Sequence, residues 1–400
     1  MTKKILIVTE CFYPEEFKIN DVALEWKRKG HDIDVLTMVP TYPASKVFDG
    51  YENKFYQKDT WSNINIYRIK AVTGYKSSLF KKLLKYFAFM ISGSIVGLFI
   101  GKKYDYIFGF NMSALTGMMP AVVINKFYNK PLTFWTQDIW PDSVYAYGFR
   151  KTKLLSFFLD KFVKFMYYNI DNIAISGKGF ESKLKPYSKE ELEFNYLPNW
   201  ADDLDMNMES AKFSDDKKVQ FTFAGNVGKV QNLENIINAF DKLPSKYQDK
   251  CQLNIIGDGS ALDELKAISK KENIIFHGRK QRNHMASYYK ASNFLIVSLV
   301  DKPIFSVTVP AKTQTYIKAK KPILAIINGD TADIINDNKL GYTSSPNNID
   351  DIKDIFIQAI NTNDEQIEEF TKNCDKLTST IFNKDIIIDK LLELTIKDYK

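Results

Sequence analysis

Short β-branched runs separated by longer stretches of helical periodicity recur along the whole chain, and this alternation restricts it more than any other feature. Ile5–Val8, Ile33–Thr37, Ile64–Ile69, Tyr106–Phe110, Leu132–Trp135 and Asn172–Ile175 read as strands, with helices expected near Ile19–Lys29, Leu79–Ile100, Ala114–Phe127 and Leu154–Tyr168. Strand–helix alternation at this spacing argues for an α/β fold, a parallel sheet covered by helices on both faces. The pattern then starts again. Val219–Phe223, Gln252–Ile256, Ile274–Phe276, Phe294–Val297 and Ile323–Ala325 form a second set of strands, with helical patterns near Leu233–Phe240, Ala261–Ser269, His284–Lys290 and Thr313–Lys318. Between the sets, Leu197-Pro198-Asn199-Trp200-Ala201-Asp202-Asp203 and the polar stretch to Lys218 break the periodicity as a linker does. The domain boundary is expected near residue 200. Two α/β domains on one linker enclose a cleft, with ligands beyond the carboxyl ends of the strands.

At about 150 residues per domain, the 400 residues suit two or three domains. A 45% hydrophobic content without low-complexity tracts excludes disordered and fibrous classes. Lys+Arg 55 against Asp+Glu 48 leaves a net charge of +7, which suits an anionic substrate or membrane surface and does not imply nucleic acid. Cys11, Cys251 and Cys374 are odd in number and form no CxxC pair, which argues for a reducing, cytoplasmic compartment and against a thiolate metal site. The apolar run after Lys4 is too short for a signal-peptide core and reads as a first strand.

Tyr86 to Ile100 carries no charge over fifteen residues and is flanked by Lys81, Lys82, Lys85, Lys102 and Lys103. A spanning helix needs about 20 apolar residues, so a full crossing is not expected. The stretch fits a helix buried against a sheet, or one whose exposed apolar side and lysine collar rest on an anionic leaflet. Lys151 to Tyr168 repeats the same chemistry.

The loop after the first strand, Glu10 to Asp21, contains no glycine, which removes most support for a GxGxxG dinucleotide site. Walker A, HExxH and GxSxG are also absent, and His31, His277 and His284 lack metal-ligand spacing. The second half is richer. Phe221-Thr222-Phe223-Ala224-Gly225-Asn226-Val227-Gly228-Lys229 runs a strand into a glycine turn ahead of a helix, and Leu253-Asn254-Ile255-Ile256-Gly257-Asp258-Gly259-Ser260 repeats the device. Glycines let backbone approach a ligand, and a helix start offers N–H donors to phosphate. Gly278, Arg279 and Lys280 place a glycine and two cations after a third strand. Pro310 suits a helix entry, where Lys312, Thr313 and Gln314 offer a cation, a hydroxyl and N–H groups to a diphosphate.

The order FAGNVGK, LNIIGDGSALDEL, IIFHGRKQRNHMASYYKASNFLIVSL and VPAKTQTYIKAKKPILA resembles the donor-binding half of retaining glycosyltransferases of family 4, which have the GT-B fold. ILIVTECFYPEEFKINDVALEWKRKGHDIDVLT resembles the family's opening strand and helix, and WTQDIWPDS a segment facing the acceptor. The texture is similar to the bacterial branch that builds capsule or O-antigen units, including N-acetyl-L-fucosamine transferases. Two departures stand out. The family's paired glutamates have no counterpart near Val307 and Thr315, and its Arg and Lys after the first donor-half strand appear as Asn226 and Gln231.

The resemblance implies two Rossmann-like domains: an acceptor-binding, membrane-facing domain over 1–200, a nucleotide-sugar domain over 201–375, and a helix within 376–400 that returns to the first. It implies metal-independent, cofactor-free transfer with retention, from a UDP-sugar such as a UDP-N-acetylamino sugar. The acceptor is expected to be a polyprenyl-diphosphate-linked saccharide at the inner face of the cell membrane. Gly225, Asn226, Lys229, Gly257, Gly259, Gly278, Arg279, Lys280, Lys312, Thr313 and Gln314 are the expected donor contacts, with uridine held by backbone around 278–280. Lys312, Arg279 and Lys229 would carry the charge that develops on the leaving diphosphate. Asp138 is the candidate to orient or deprotonate the acceptor, or else a carboxylate capping the turn before Pro141. Glu15 and Glu16 are expected on the acceptor side. Two other readings stay open: a sugar-nucleotide 2-epimerase of the same fold, and a membrane-associated assembly partner without catalysis.

Overall fold

The computed structural model describes residues 2–75, 78–146, 148–215 and 217–397, and leaves the side chains of Leu79 and Lys82 undescribed. The chain divides into two compact units, unit 1 being Met1–Leu197 with Asp385–Lys400 and unit 2 being Pro198–Lys384.

Unit 1 runs β1 (Lys4–Thr9), α1 (Lys18–Arg28), β2 (Asp32–Met38), β3 (Tyr56–Trp61), β4 (Ile64–Ile69), α2 (Leu79–Ile100), β5 (Tyr106–Asn111), α3 (Met119–Tyr128), β6 (Leu132–Thr136), α4 (Asp142–Ala146), α5 (Lys153–Tyr168), β7 (Asn172–Ile175), α6 (Phe180–Leu184) and β8 (Phe194–Tyr196). Among the described residues its sheet has the order β3-β4-β2-β1-β5-β6-β7-β8. Every neighbouring pair is parallel except β3 with β4. That hairpin turns at Ser62 and Asn63, both at positive φ, the backbone a two-residue turn requires. The sequence pattern does not single out β3 because it is a half-exposed edge strand rich in polar residues.

Unit 2 runs β9 (Val219–Ala224), α7 (Leu233–Asp241), α8 (Ser245–Gln248), β10 (Cys251–Ile256), α9 (Leu262–Ile268), β11 (Ile274–Gly278), α10 (Met285–Ala291), β12 (Phe294–Ser298), α11 (Pro303–Ser306), α12 (Ala311–Lys318), β13 (Ile323–Ile326), α13 (Asp330–Asp337), β14 (Gly341–Ser344), α14 (Ile349–Ile360) and α15 (Asp364–Ser379). Its strands are all parallel in the order β11-β10-β9-β12-β13-β14. The pleat sorts them onto two cores: Phe221, Phe223, Leu253, Ile255, Phe294 and Ile296 on one face, Ala224, Ile256, Leu295 and Val297 on the other.

Helix α16 (Lys384–Thr395) carries the chain back into unit 1, where Trp26 Nε1 donates to Ile388 O at 3.1 Å. Residues 376–384, grouped with this segment in the sequence reading, belong to unit 2, since Leu377 and Phe382 are buried in its core.

Helix α2 has the limits the sequence pattern marks, Leu79–Ile100, a span of 22 residues. By length and composition Leu83–Lys103 is able to cross a membrane, where the fifteen uncharged residues taken alone fell short. Gly93 and Gly97 of α2, with Gly101 just past its end, face α3: a Cβ on them would meet Pro120 Cγ at 2.9 Å and Ile124 at 3.0 and 2.6 Å. These glycines bring the two helices into close contact. The opposite stripe of α2, Phe80, Leu84, Phe87, Ile91, Ile95 and Phe99, is exposed, Phe80 by 73% and Phe99 by 84%. Helix α5 exposes Leu154, Phe157, Phe158, Phe165 and Tyr168. Burying one such side chain is worth about 1.5–3 kcal/mol, so faces this apolar mark a surface meant to be covered.

Candidate active site

The carboxyl ends of β9, β10 and β11 open onto a cavity of about 920 Å³ lined by Gly225, Asn226, Gly257, Asp258, Gly259, Arg279 and Lys280 among others. The sequence builds its floor from glycine. Gly257 has φ +143°, and a Cβ there would lie 1.8 Å from Gly225 O; one on Gly259 would lie 2.4 Å from Val227 O. The two loops are laced together by Gly225 N to Ile256 O (2.9 Å), Val227 N to Asp258 O (2.9 Å) and Gly257 N to Gly278 O (2.9 Å). The result is a wall of backbone that side chains would spoil.

Lys312 reaches this wall from α12. Its Cε and Nζ lie where a Cβ on Gly225 would be crowded, at 2.6 and 2.8 Å. Nζ sits 3.6 Å from the centre of the Phe223 ring and donates to Gln231 Oε1 at 3.2 Å. Among the described residues no carboxylate lies within ion-pair distance. Burial alone pulls its pKa down to about 7, so the ammonium is held where an incoming anion would stabilise it.

The other expected donor contacts separate. Arg279 and Lys280 line the cavity, and Gly278 braces it through its carbonyl. Lys229 does not join them: its side chain is 73% exposed and pairs with Glu264 at 3.3 Å. Thr313 and Gln314 point into the core of unit 2. Thr313 Oγ1 is fully buried, and the Gln314 amide, oriented to donate, reaches Pro310 O at 2.9 Å. Both are turned inward because α12 presents that face to the sheet, and Lys312 is the residue of this segment that reaches the glycine wall. Gln281, Arg282, Met285 and Tyr289, which sequence reasoning missed, complete the lining. Their spacing along one turn and helix after Arg279 is the signal that was there to read.

The acceptor-side residues lie in unit 1. Asp138 is half-buried after β6, accepts from Ile139 N at 2.9 Å and is joined by the Ser143 hydroxyl. Burial outweighs both hydrogen bonds and lifts its pKa to about 6. The capping geometry and a raised pKa therefore coexist in one carboxylate. Glu15 is buried and accepts from Thr41 N (2.9 Å) and Tyr42 N (2.7 Å), bracing the loop after β2, while Glu16 is exposed. The neighbouring Glu10, unmarked in the sequence, is 2% exposed, accepts from Ser113 Oγ at 2.9 Å and lies 3.6 Å from Lys85 Nζ. Among the described residues no group of three His, Cys, Asp or Glu side chains is arranged to hold a metal ion.

Residues 207–377, which contain this glycine-walled cavity, match the family model for group 1 glycosyl transferases. That match covers less than half of the chain. The chain is 26% identical over 253 residues to the probable glycosyltransferase WbjE of Pseudomonas aeruginosa, a match over 58% of this chain and 62%, under two thirds, of that protein. It is 23% identical over 295 residues to the putative colanic acid biosynthesis glycosyl transferase WcaI of Escherichia coli K12, covering 68% of this chain and 70% of that one. Among solved structures, Anabaena Alr3699/HepE in complex with UDP and glucose superposes with a TM-score of 0.62 at 11% identity, over 98% of both chains. The chain has the GT-B fold, with two α/β units whose strands pair in parallel except for β3 with β4.

Proposed function

We propose that this glycosyltransferase moves a sugar, of the N-acetylamino class, from UDP to a polyprenyl-diphosphate-linked saccharide during surface-polysaccharide assembly, with retention and without a metal. The observation that carries the reading is Lys312: a cation with no paired carboxylate among the described residues, packed against Gly225 of the cavity wall that Arg279 and Lys280 also line. As the anomeric carbon–oxygen bond breaks, the electron pair leaves with the β-phosphate, and these cations together with the loop N–H groups stabilise that charge. Similarity to WcaI, a putative colanic acid biosynthesis glycosyl transferase, supports the polysaccharide context, and UDP in HepE supports the nucleotide. Asp138 is assigned to orienting or deprotonating the acceptor hydroxyl. The exposed stripes of α2 and α5 with their lysines support a peripheral site on the inner membrane face.

The test is a panel of UDP-N-acetylamino sugars with a lipid-linked monosaccharide, read as UDP release and as the anomeric configuration of the product. Release that depends on both substrates is expected. An epimerised nucleotide sugar from donor alone would move the chain to the epimerases, and no binding or turnover of any UDP-sugar would end the assignment.

Asp138 gives this reading a pH signature. A base must be ionised, so kcat should fall below about pH 6, where the folded-state carboxyl takes up its proton. Asp138→Asn should abolish that acid limb and lower kcat roughly tenfold, less than for a sole general base because the departing phosphate also accepts the proton. A limb that survives the substitution would remove Asp138 from the chemistry.

A further inference from the structure

Lys312 enters at the first turn of α12 and reaches the donor cavity only by crossing to the loop after β9, so its long stem has to be held there. Three groups surround its end. Gly225 makes room, since a Cβ at that position would sit 2.6 Å from Lys312 Cε and 2.8 Å from Nζ. The Phe223 ring lies against it, 3.6 Å from Nζ to the ring centre, and the face of an aromatic ring attracts a cation. Gln231 Oε1 accepts from Nζ at 3.2 Å. Of the three only the amide fixes a direction, because ring attraction is broad and the glycine supplies only space. An ammonium has three N–H groups. Among the described residues Gln231 Oε1 is the one hydrogen-bond acceptor of Nζ, which leaves the remaining donors for a ligand.

Gln231 is itself anchored. Gln231 N donates to Gly228 O at 3.0 Å, and both chain neighbours are tied to other loops: Val300 N donates to Val230 O at 3.0 Å, and Asn232 Nδ2 donates to Pro346 O at 2.7 Å. The carboxamide is therefore presented from a fixed backbone. Its neutrality matters as much as its place. A carboxylate here would pair with Lys312 and neutralise it inside the protein, whereas an amide oxygen orients the ammonium and leaves its charge to the diphosphate. The titratable groups on neighbouring elements are engaged or placed elsewhere. Lys229 is turned to Glu264 at 3.3 Å, Tyr316 of α12 donates to Ala224 O at 3.4 Å, and Asp258, Arg279 and Lys280 line the cavity from the loops after β10 and β11.

We propose that Gln231 is the positioning residue for Lys312: its amide oxygen holds the ammonium beside Gly225, aimed at the leaving diphosphate, and its lack of charge keeps that ammonium available. The inference rests on the transferase reading above and deepens it by naming what sets the place of the cation.

Two variants of the full chain test it. Gln231→Met keeps the length of the side chain and removes the acceptor, while Gln231→Glu keeps the acceptor and adds a charge; the half-buried position admits both. In the ligand-free protein the ε-carbon resonance of Lys312, assigned by its loss in Lys312→Met, should titrate at about pH 7 in the wild type. The midpoint should lie about one unit or more lower in Gln231→Met and about two units or more higher in Gln231→Glu, since a partner that favours the protonated form changes proton affinity about 10–100-fold. With UDP as the probe at about pH 8, calorimetry should show proton uptake in the wild type and in Gln231→Met and none in Gln231→Glu, whose Lys312 is already charged. UDP affinity should fall at least about tenfold in both. With the substrate pair that the panel above finds active, kcat/KM should fall about 10–100-fold in Gln231→Met, chiefly through kcat, because a displaced cation loses most in the transition state. Midpoints unmoved by either substitution would overturn the proposal, as would Gln231→Met turning over at the wild-type kcat/KM. Midpoints that move as described in a wild-type chain and variants that bind no UDP-sugar would instead strike the transferase reading and leave the hold of Gln231 on Lys312 standing.

Discussion

Lys312→Met is expected to lower kcat/KM for sugar transfer by roughly 10²–10³-fold, the loss seen when one preorganised donor to a developing anion is removed. UDP affinity should fall as well, because the same ammonium meets the diphosphate before reaction. Stability should not fall. The folded-state pKa is about 7 against 10.5 for an ordinary lysine, so between those values the unfolded chain binds a proton that the folded chain does not. Stability therefore rises with pH across that window, and the cost of the buried charge is fully present below about pH 7. Lys312→Met should abolish this slope and leave the melting temperature at pH 7 equal or higher. UDP binding should likewise draw a proton onto Lys312 near pH 8, visible in calorimetry as heats that depend on the buffer's ionisation enthalpy. Unchanged turnover, or UDP binding without proton uptake, would refute the role given to this residue.

Gly257→Ala should be strongly destabilising. The new Cβ would lie 1.8 Å from a backbone oxygen, Gly225 O, at φ +143°. Neither loop is free to retreat, since Gly225 N and Gly257 N are both committed to strand carbonyls. A loss of more than about 4 kcal/mol is expected, in the exceptional range for point changes, together with loss of UDP binding. Gly278→Ala is the internal control. It too has positive φ, +64°, but nothing lies within 4 Å of its Cβ, so the cost should be near the about 1–2 kcal/mol of left-handed backbone alone. Thermal unfolding of the two variants separates close approach from backbone strain, and equal losses would contradict the packing described.

Much of the fold was legible because apolar periodicity is a local property. Asn172–Ile175 and Leu79–Ile100 begin and end where their sequences change character. What a strand buries was less legible than the strand itself. β9 alternates Gln220 and Thr222 with phenylalanines, as a solvent-facing strand would, yet both are buried: Gln220 Oε1 accepts from Asn254 Nδ2 at 2.9 Å and Thr222 Oγ1 is joined by Ser292 Oγ at 2.6 Å. β3, β8 and β14 are edge strands or short ones with little core to bury, so they leave almost no apolar signal.

The donor site divides along the same line. Positive φ and close backbone approach can be met only by glycine, so Gly225, Gly257 and Gly259 announce their loops in the primary structure. Side-chain chemistry carries no such local mark. Lys229 and Lys312 look alike as letters; one is an exposed ion-paired lysine and the other is buried over Phe223 with its pKa near 7. Residues separated by some 50 positions, Met90 and Asp138 for example, meet only when α2 and α5 pack beside the sheet edge. The amino-acid order alone thus determined the parallel α/β architecture and the glycine loops, since these follow from backbone requirements within a few residues. Which cation is desolvated, which carboxylate is lifted towards neutrality and which helices pack beside the sheet edge were decided by tertiary packing, because dielectric environment and enclosure belong to the neighbours a side chain acquires on folding.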